Sequence, residues 1–286
     1  MESLRFPALL CVLLNTTVVQ VADEVKQMDM LHKAVDFSYS NCRDEMLQMV
    51  TKPGGLLQRE LNNNLYFKSM WQSNATCTKR IPGGTKEHTS ALQSYVDADP
   101  KFNKVFNAHF YTKGRNSTSY QDFPFKSLYF LLTDAMRLLS KDMCQTVYSG
   151  TEEKYMATVG EMFSFRSFFP AKFKFSDASE DTGNNGGTVF SITSCFVVSL
   201  DENVCEPGEM DLLIYPTEVF TVKAIRTVNN SNDKFTEITL IHSKVHSPFN
   251  CTSLLNFTTP EESSSNLLSS SLLAPFLMVY FNTLAL

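Results

Sequence analysis

Two acids two residues apart, Glu209 and Asp211, stand at the head of the apolar run Leu212-Leu213-Ile214. In an extended strand, residues i and i+2 point to the same face, so both carboxylates can line one cleft. Paired acids of this kind can hold a ribose hydroxyl and stabilise a developing oxocarbenium ion, which is what glycosyl transfer requires. A solvated strand edge accounts for the same spacing. Other chemistry-bearing patterns are sparse. The chain has no P-loop, no GxGxxG after a strand, no GxSxG and no HExxH. Gly183 to Gly187 reads as a hairpin loop rather than a phosphate cradle. There is no CxxC, and His242 and His246 share a strand face without further ligands, so no metal site is expected.

The elements that must position those acids follow from hydrophobic periodicity. The first half reads helical: Leu92 to Val96 and Asn103 to Phe110 are expected as short helices joined at Asp99-Pro100. Phe125 to Lys141 is the strongest helix, with Leu128, Leu131, Leu132, Ala135, Leu138 and Leu139 at helical spacing. After Cys144 the period changes. Thr188 to Leu200, Leu212 to Tyr215, Val219 to Val228 and Phe235 to Val245 are rich in Val, Ile, Thr and Phe, with turn residues between them. Helices followed by a run of strands predict an α+β fold.

The compartment is read from the ends. Arg5, the apolar run from Phe6 and Ala22 before the acidic Asp23-Glu24 predict a signal peptide over residues 1–22. The serine-rich stretch from Glu261 and the apolar Leu272 to Leu286 predict a spacer and lipid-anchor signal over 259–286, leaving one domain over 23–258. Of seven Cys, Cys11 leaves with the signal peptide, and the remaining six favour disulfides in an oxidising compartment. Sequons at Asn74, Asn116, Asn229, Asn250 and Asn256 agree with an extracellular surface. The net charge of −5 argues against nucleic acid as a partner.

Four blocks carry a resemblance. Phe125 to Leu139 (FKSLYFLLTDAMRLL) resembles the "FKTLHFLLTEALRLL" helix of vertebrate arginine-specific ecto-mono-ADP-ribosyltransferases, and Pro207 to Phe220 resembles their "PGEEEVLIPPFEVF" segment. Cys144 to Gly150 is similar to their "CRQVFRG", and Ser247 to Cys251 to a late "NFNC". The resemblance implies transfer of ADP-ribose from NAD to arginine side chains of proteins at the cell surface or in secretions. It also implies two packed, mostly antiparallel sheets forming an NAD cleft behind an N-terminal helical part. Disulfides Cys42–Cys251 and Cys144–Cys195 follow from it, with Cys77 and Cys205 left as a further pair.

Carried over one residue at a time, the family signature of an Arg, a Ser-x-Ser strand and a Glu-x-Glu departs at several points. The Arg that holds the NAD phosphates falls on Ser149, which offers a hydroxyl but no charge. The serine strand is sought in Val159 to Phe168. Anchoring on Gly160 puts Ser164 at the first serine; anchoring on Phe163 puts Phe165 there and leaves Ser167. Arg166 is a candidate to replace the missing charge. Glu209 matches the first Glu, associated with choosing arginine, and Asp211 the second, catalytic Glu, one methylene shorter. These departures leave a second function in view: an inactive relative that serves as a surface recognition protein.

Overall fold

The computed structural model describes residues 25–28, 39, 41–73, 77–114, 117–141, 143–183, 186–206, 210–229 and 234–245. A short strand β1 (Val25–Gln27) precedes helices α1 (Arg43–Thr51), α2 (Leu56–Asn63), α3 (Leu65–Ser73), α4 (Lys86–Val96), α5 (Pro100–Lys113), α6 (Ser117–Tyr120) and α7 (Lys126–Leu139). Then follow β2 (Gln145–Thr151), β3 (Lys154–Met156), β4 (Met162–Phe163), β5 (Phe169–Ala171) and helix α8 (Phe175–Glu180). Strands β6 (Thr188–Ser194), β7 (Val197–Ser199), β8 (Leu212–Ile214), β9 (Glu218–Asn229) and β10 (Lys234–Val245) complete the described chain. The α+β expectation holds: among the described residues, seven helices follow the short β1 and precede the five- and three-stranded sheets.

Helix boundaries follow local chemistry. Asp99 caps α5 by accepting from Lys101 N–H at 2.8 Å, with Pro100 at the first helical position. Thr85 starts α4 through a reciprocal capping box in which His88 Nδ1 accepts from Thr85 N–H at 2.9 Å. That box carries α4 back to Lys86, well before the expected Leu92. The start of α7 is capped across the fold: the buried Glu60 carboxylate accepts from Lys126 N–H at 3.0 Å and from Ser127 N–H at 2.9 Å and Oγ at 2.5 Å. Burial raises the Glu60 pKa to about 7 despite those hydrogen bonds.

Three layers result. The helices pack on one face of the three-stranded sheet β5-β8-β7, with Leu128, Leu131, Leu132 and Phe168 meeting Val198 and Leu213. The other face of that sheet packs on the five-stranded sheet β2-β6-β10-β9-β4, where Val147, Ile192, Phe220 and Leu240 meet Leu212 and Ile214. Pairing is antiparallel except for β6 with β10 and β1 with β3.

Helix α7 is the central helix, and its apolar residues from Leu128 to Met136 are almost wholly buried. Asp134 on it accepts from Arg43 Nε and His88 Nε2, both at 2.9 Å, and from Arg137 at 3.0 Å. Burial opposes its ionisation, but the His88 and Arg43 hydrogen bonds prevail and hold its pKa at about 2.

The expected single strand Thr188 to Leu200 is in fact two. The chain leaves the large sheet at Ser194 and enters the small one at Val197. The fully buried Glu218 carboxylate fixes the break, accepting from Ser194 Oγ at 2.5 Å and Cys195 N–H at 2.8 Å.

Candidate active site

Strand β2 brings Ser149 opposite Phe190 of β6. Cross-strand partners share a face, so the Ser149 side chain looks toward the aromatic rings around Phe190, which touches Tyr155, Phe165 and Phe169. Gly150 follows for a reason of space. A Cβ there would lie 1.7 Å from the Ala178 carbonyl oxygen, so α8 rests directly on this strand.

The stretch in which the serine strand is sought pairs with β9 rather than with β8. Ser164 is buried and its hydroxyl donates to the Pro216 carbonyl at 3.3 Å, so it faces no cleft. Phe165 stacks on Phe169 with centroids 3.6 Å apart and meets Phe163, Phe190 and Phe220 edge-on in the core between the sheets. Arg166 turns the chain at φ 53°, a left-handed conformation that a non-glycine residue adopts at a cost. Ser167 is half-buried in the loop that follows.

The strand next to β8 is instead Phe169–Ala171, with Phe169 opposite Ile214 and Ala171 opposite Leu212. It runs into Lys172, which bridges Tyr148 of β2. The residues set between the Ser149 strand and Asp211 are therefore Pro170, Ala171 and Lys172, and they bring no hydroxyl. The Phe-rich stretch offers several equivalent anchors, and no local sequence signal separates them.

Asp211 sits half-exposed just before β8. Its carbonyl accepts from Leu200 N–H at 2.9 Å, and its Oδ2 accepts from Phe173 N–H at a long 3.4 Å. The three residues behind it, Leu212, Leu213 and Ile214, are wholly buried, which anchors the carboxylate at the head of the central strand. Phe173 also lines a cavity of about 350 Å³ with Leu139, Met143, Gln145, Val198 and Ser199. Glu209 lies outside the described residues, so the structure brings together Asp211, Lys172 and the Ser149 strand, and leaves Ser164 elsewhere.

A buried group that sequence reasoning missed lies behind the site. Glu218 also meets His242 Nδ1 at 2.7 Å, tying β9 to β10 and to the β6 end. His242 was noted in the sequence only beside His246, which lies outside the described residues; its real partner is twenty-four positions away. Cys195 completes a close trio with Glu218 and His242, but its sulfur is bonded to Cys144. That disulfide matches the one the resemblance implies, and Cys77–Cys205 is formed as well. Cys42 is disulfide-bonded, while Cys251 lies outside the described residues.

A helical layer, two packed sheets and a carboxylate at the head of the central strand of the smaller sheet define an ADP-ribosyltransferase fold that uses NAD as its substrate. The chain belongs to the NAD:arginine ADP-ribosyltransferase family, whose sequence profile matches residues 28–247. It is 26% identical over 232 residues to ecto-ADP-ribosyltransferase 5 of Bos taurus, spanning 73% of this chain and 72% of the relative. It is 27% identical to T-cell ecto-ADP-ribosyltransferase 2 of Mus musculus, spanning 78% and 76%. The crystal structure of the eukaryotic mono-ADP-ribosyltransferase ART2.2 superposes with a TM-score of 0.64 at 25% identity, covering 79% of this chain and 98% of that one. A mutant of that transferase has been crystallised with NADH, and that structure superposes with a TM-score of 0.63 over the same shares. Several relatives are ecto-enzymes by name, in keeping with the disulfides found here.

Proposed function

We propose that this protein transfers single ADP-ribose groups from NAD to arginine side chains of extracellular proteins, with Asp211 as the carboxylate that engages the nicotinamide ribose. The bond between ribose C1′ and the nicotinamide nitrogen breaks, nicotinamide leaves, and the negative charge of Asp211 stabilises the oxocarbenium ion that remains. A guanidinium nitrogen of the acceptor, oriented by the Glu209 carboxylate, then bonds to C1′ and gives up a proton to solvent. The observation that carries this reading is the position of Asp211 at the exposed head of an otherwise buried β8, within a fold matched to the family over most of its length. The reaction is expected to be slow, because Asp is one methylene shorter than Glu.

A second reading rests on a specific observation. Ser149 faces an aromatic block, and the strand beside Asp211 carries Pro170 and Lys172 in place of hydroxyls. A chain so altered can keep the scaffold and act as a surface recognition protein. Incubating the purified protein with labelled NAD and agmatine decides between them. Transfer that disappears in Asp211→Ala supports the enzyme; absence of transfer, nicotinamide release and NAD binding leaves only the scaffold.

For its location, we read residues 1–22 as a secretory signal, 23–258 as one domain and 259–286 as a spacer and lipid-anchor signal. Among the described residues, no helix is long and apolar enough to cross a membrane. Cell-surface protein should be released by a phosphatidylinositol-specific phospholipase; retention after that treatment would remove the lipid anchor from the account.

A further inference from the structure

The chain carries a net charge of −5, yet one of its cavities is lined by cations. This cavity of about 350 Å³ opens between the segment after Cys77 and the start of α4. Its charged lining is Lys79, Arg80 and Lys86, with no acid among the described residues that line it. Arg80 and Lys86 are exposed. The nearby acids leave this charge uncancelled. Glu87 lies 3.9 Å from the Lys86 ammonium, beyond hydrogen-bond reach, and Glu202 pairs with Lys141 at 3.6 Å. Three cations around one cavity attract an anionic group and repel a guanidinium, whereas the acids at residues 209 and 211 do the reverse.

The cavity is fastened to the strand that bears the Asp211 carboxylate. Lys79 Nζ donates to the Asp201 carbonyl at 3.1 Å and to the Glu202 carbonyl at 3.3 Å. Cys77 is bonded to Cys205 of the same connection between β7 and β8. Leu200, just before Asp201, donates its N–H to the Asp211 carbonyl at 2.9 Å. Even with residues 200 and 201 at full extension, the Lys79 ammonium lies no more than about 13 Å from that carbonyl. An extended peptide covers about 13 Å in four residues. One acceptor chain can therefore set an arginine at Asp211 and an acid over the cavity. A space of this volume with three charges suits one or two carboxylates better than a long sulfated chain.

We propose that this cavity is an acceptor-docking subsite, which takes an acidic side chain lying within about four residues of the arginine to be modified. The proposal rests on the transferase reading above, and the test separates the two. Labelled peptides with one arginine and a pair of glutamates about four residues away are compared with their glutamine and lysine twins. Binding to the purified protein is followed by fluorescence anisotropy, and transfer from labelled NAD is measured beside agmatine, which has no acid. The glutamate peptide should bind and react better than its glutamine twin by about two- to fivefold for each ion pair formed, and high salt should erase the difference. Arg80→Gln with Lys86→Gln should abolish the preference while agmatine modification and the KM for NAD keep their wild-type values. Arg80→Glu with Lys86→Glu should turn the preference toward the lysine twin, which a merely damaged fold does not do. Lys79 is left in place because its carbonyl bonds hold the connection. Equal binding of the glutamate and glutamine peptides by the wild type overturns the proposal, and agmatine modification then leaves the transferase reading standing. A preference that survives both double variants also overturns it. So does a raised KM for NAD in those variants, which would make the cavity a nucleotide site, or capture of heparin without any preference among the peptides. If the wild type modifies no arginine at all, the transferase reading falls and the acceptor role falls with it.

Discussion

At Asp211 the relevant length is that of one methylene. A misplacement of about 1 Å at a reacting centre can cost roughly a hundredfold in rate. Asp211→Glu should therefore raise kcat by about tenfold or more while leaving the KM for NAD nearly unchanged, since the acid acts on the ribose rather than on the phosphates. A fall in kcat would show that the backbone before β8 has already moved to suit Asp. Gly150 tests a different kind of constraint. With the Ala178 carbonyl 1.7 Å from where a Cβ would sit, Gly150→Ala must lift α8 off β2, and overpacking of this sort costs about 1–3 kcal/mol. Denaturant titration should show that loss, and an unchanged midpoint would mean that α8 yields freely. Asp211's strand and the strand beside it were legible in the sequence to unequal degrees. The strand behind Asp211 was readable because its motif is contiguous and apolar. Strand β5, which pairs with it, was not, because Phe163, Phe165, Phe168 and Phe169 divide between two cores, Phe168 toward the helices and the others between the sheets. Their spacing alone does not say which core each one joins.

The same contrast holds for whole elements. Helix α7 was readable because its Leu spacing and its burial express one fact, the packing of a helix against a sheet. What starts it was not, because Glu60 lies 66 residues before the amide it caps. That cap has a measurable consequence. Burial raises the Glu60 pKa in the folded chain to about 7, against 4.5 for an exposed glutamate. Between those values the folded state holds a proton that the unfolded state has released. Stability is therefore greatest at and below about pH 4.5 as far as this group is concerned, and it falls as pH rises to about 7. The full effect is on the order of 3 kcal/mol at most. Glu60→Gln should flatten this slope between pH 5 and 7 in thermal melts; an unaltered slope would show that Glu60 is ionised in the fold. Strand β6 tells a similar story. Its apolar run continues through Cys195, but Glu218 from β9 holds Ser194 and Cys195 and sends Phe196 toward the second sheet. No local pattern around residue 195 contains that information.

At the scale of the molecule, layer order was legible from periodicity, and the disulfide tie between layers only through the resemblance. The change from helical to strand periodicity near Cys144 gave α+β, and the five- and three-stranded sheets both lie after it. Which cysteines join cannot be deduced from counts alone. Cys77–Cys205 links the segment between α3 and α4 to the connection between β7 and β8, across 128 residues. Gln93 of α4 braces the same connection, accepting from Cys205 N–H at 2.5 Å and donating to the Glu206 carbonyl at 3.0 Å. This connection leads directly to Asp211, so the helical layer is fastened to the strand that bears the carboxylate. A cross-link closing so long a loop restricts the unfolded chain strongly, and removal of a native disulfide from a small secreted domain costs about 2–5 kcal/mol. The double substitution Cys77→Ser with Cys205→Ser should lower stability by that amount in urea unfolding while the Gln93 bonds keep the connection in place. If the loss is instead near zero, the Gln93 bracing and the packing of α4 on α7 suffice to hold the two layers together.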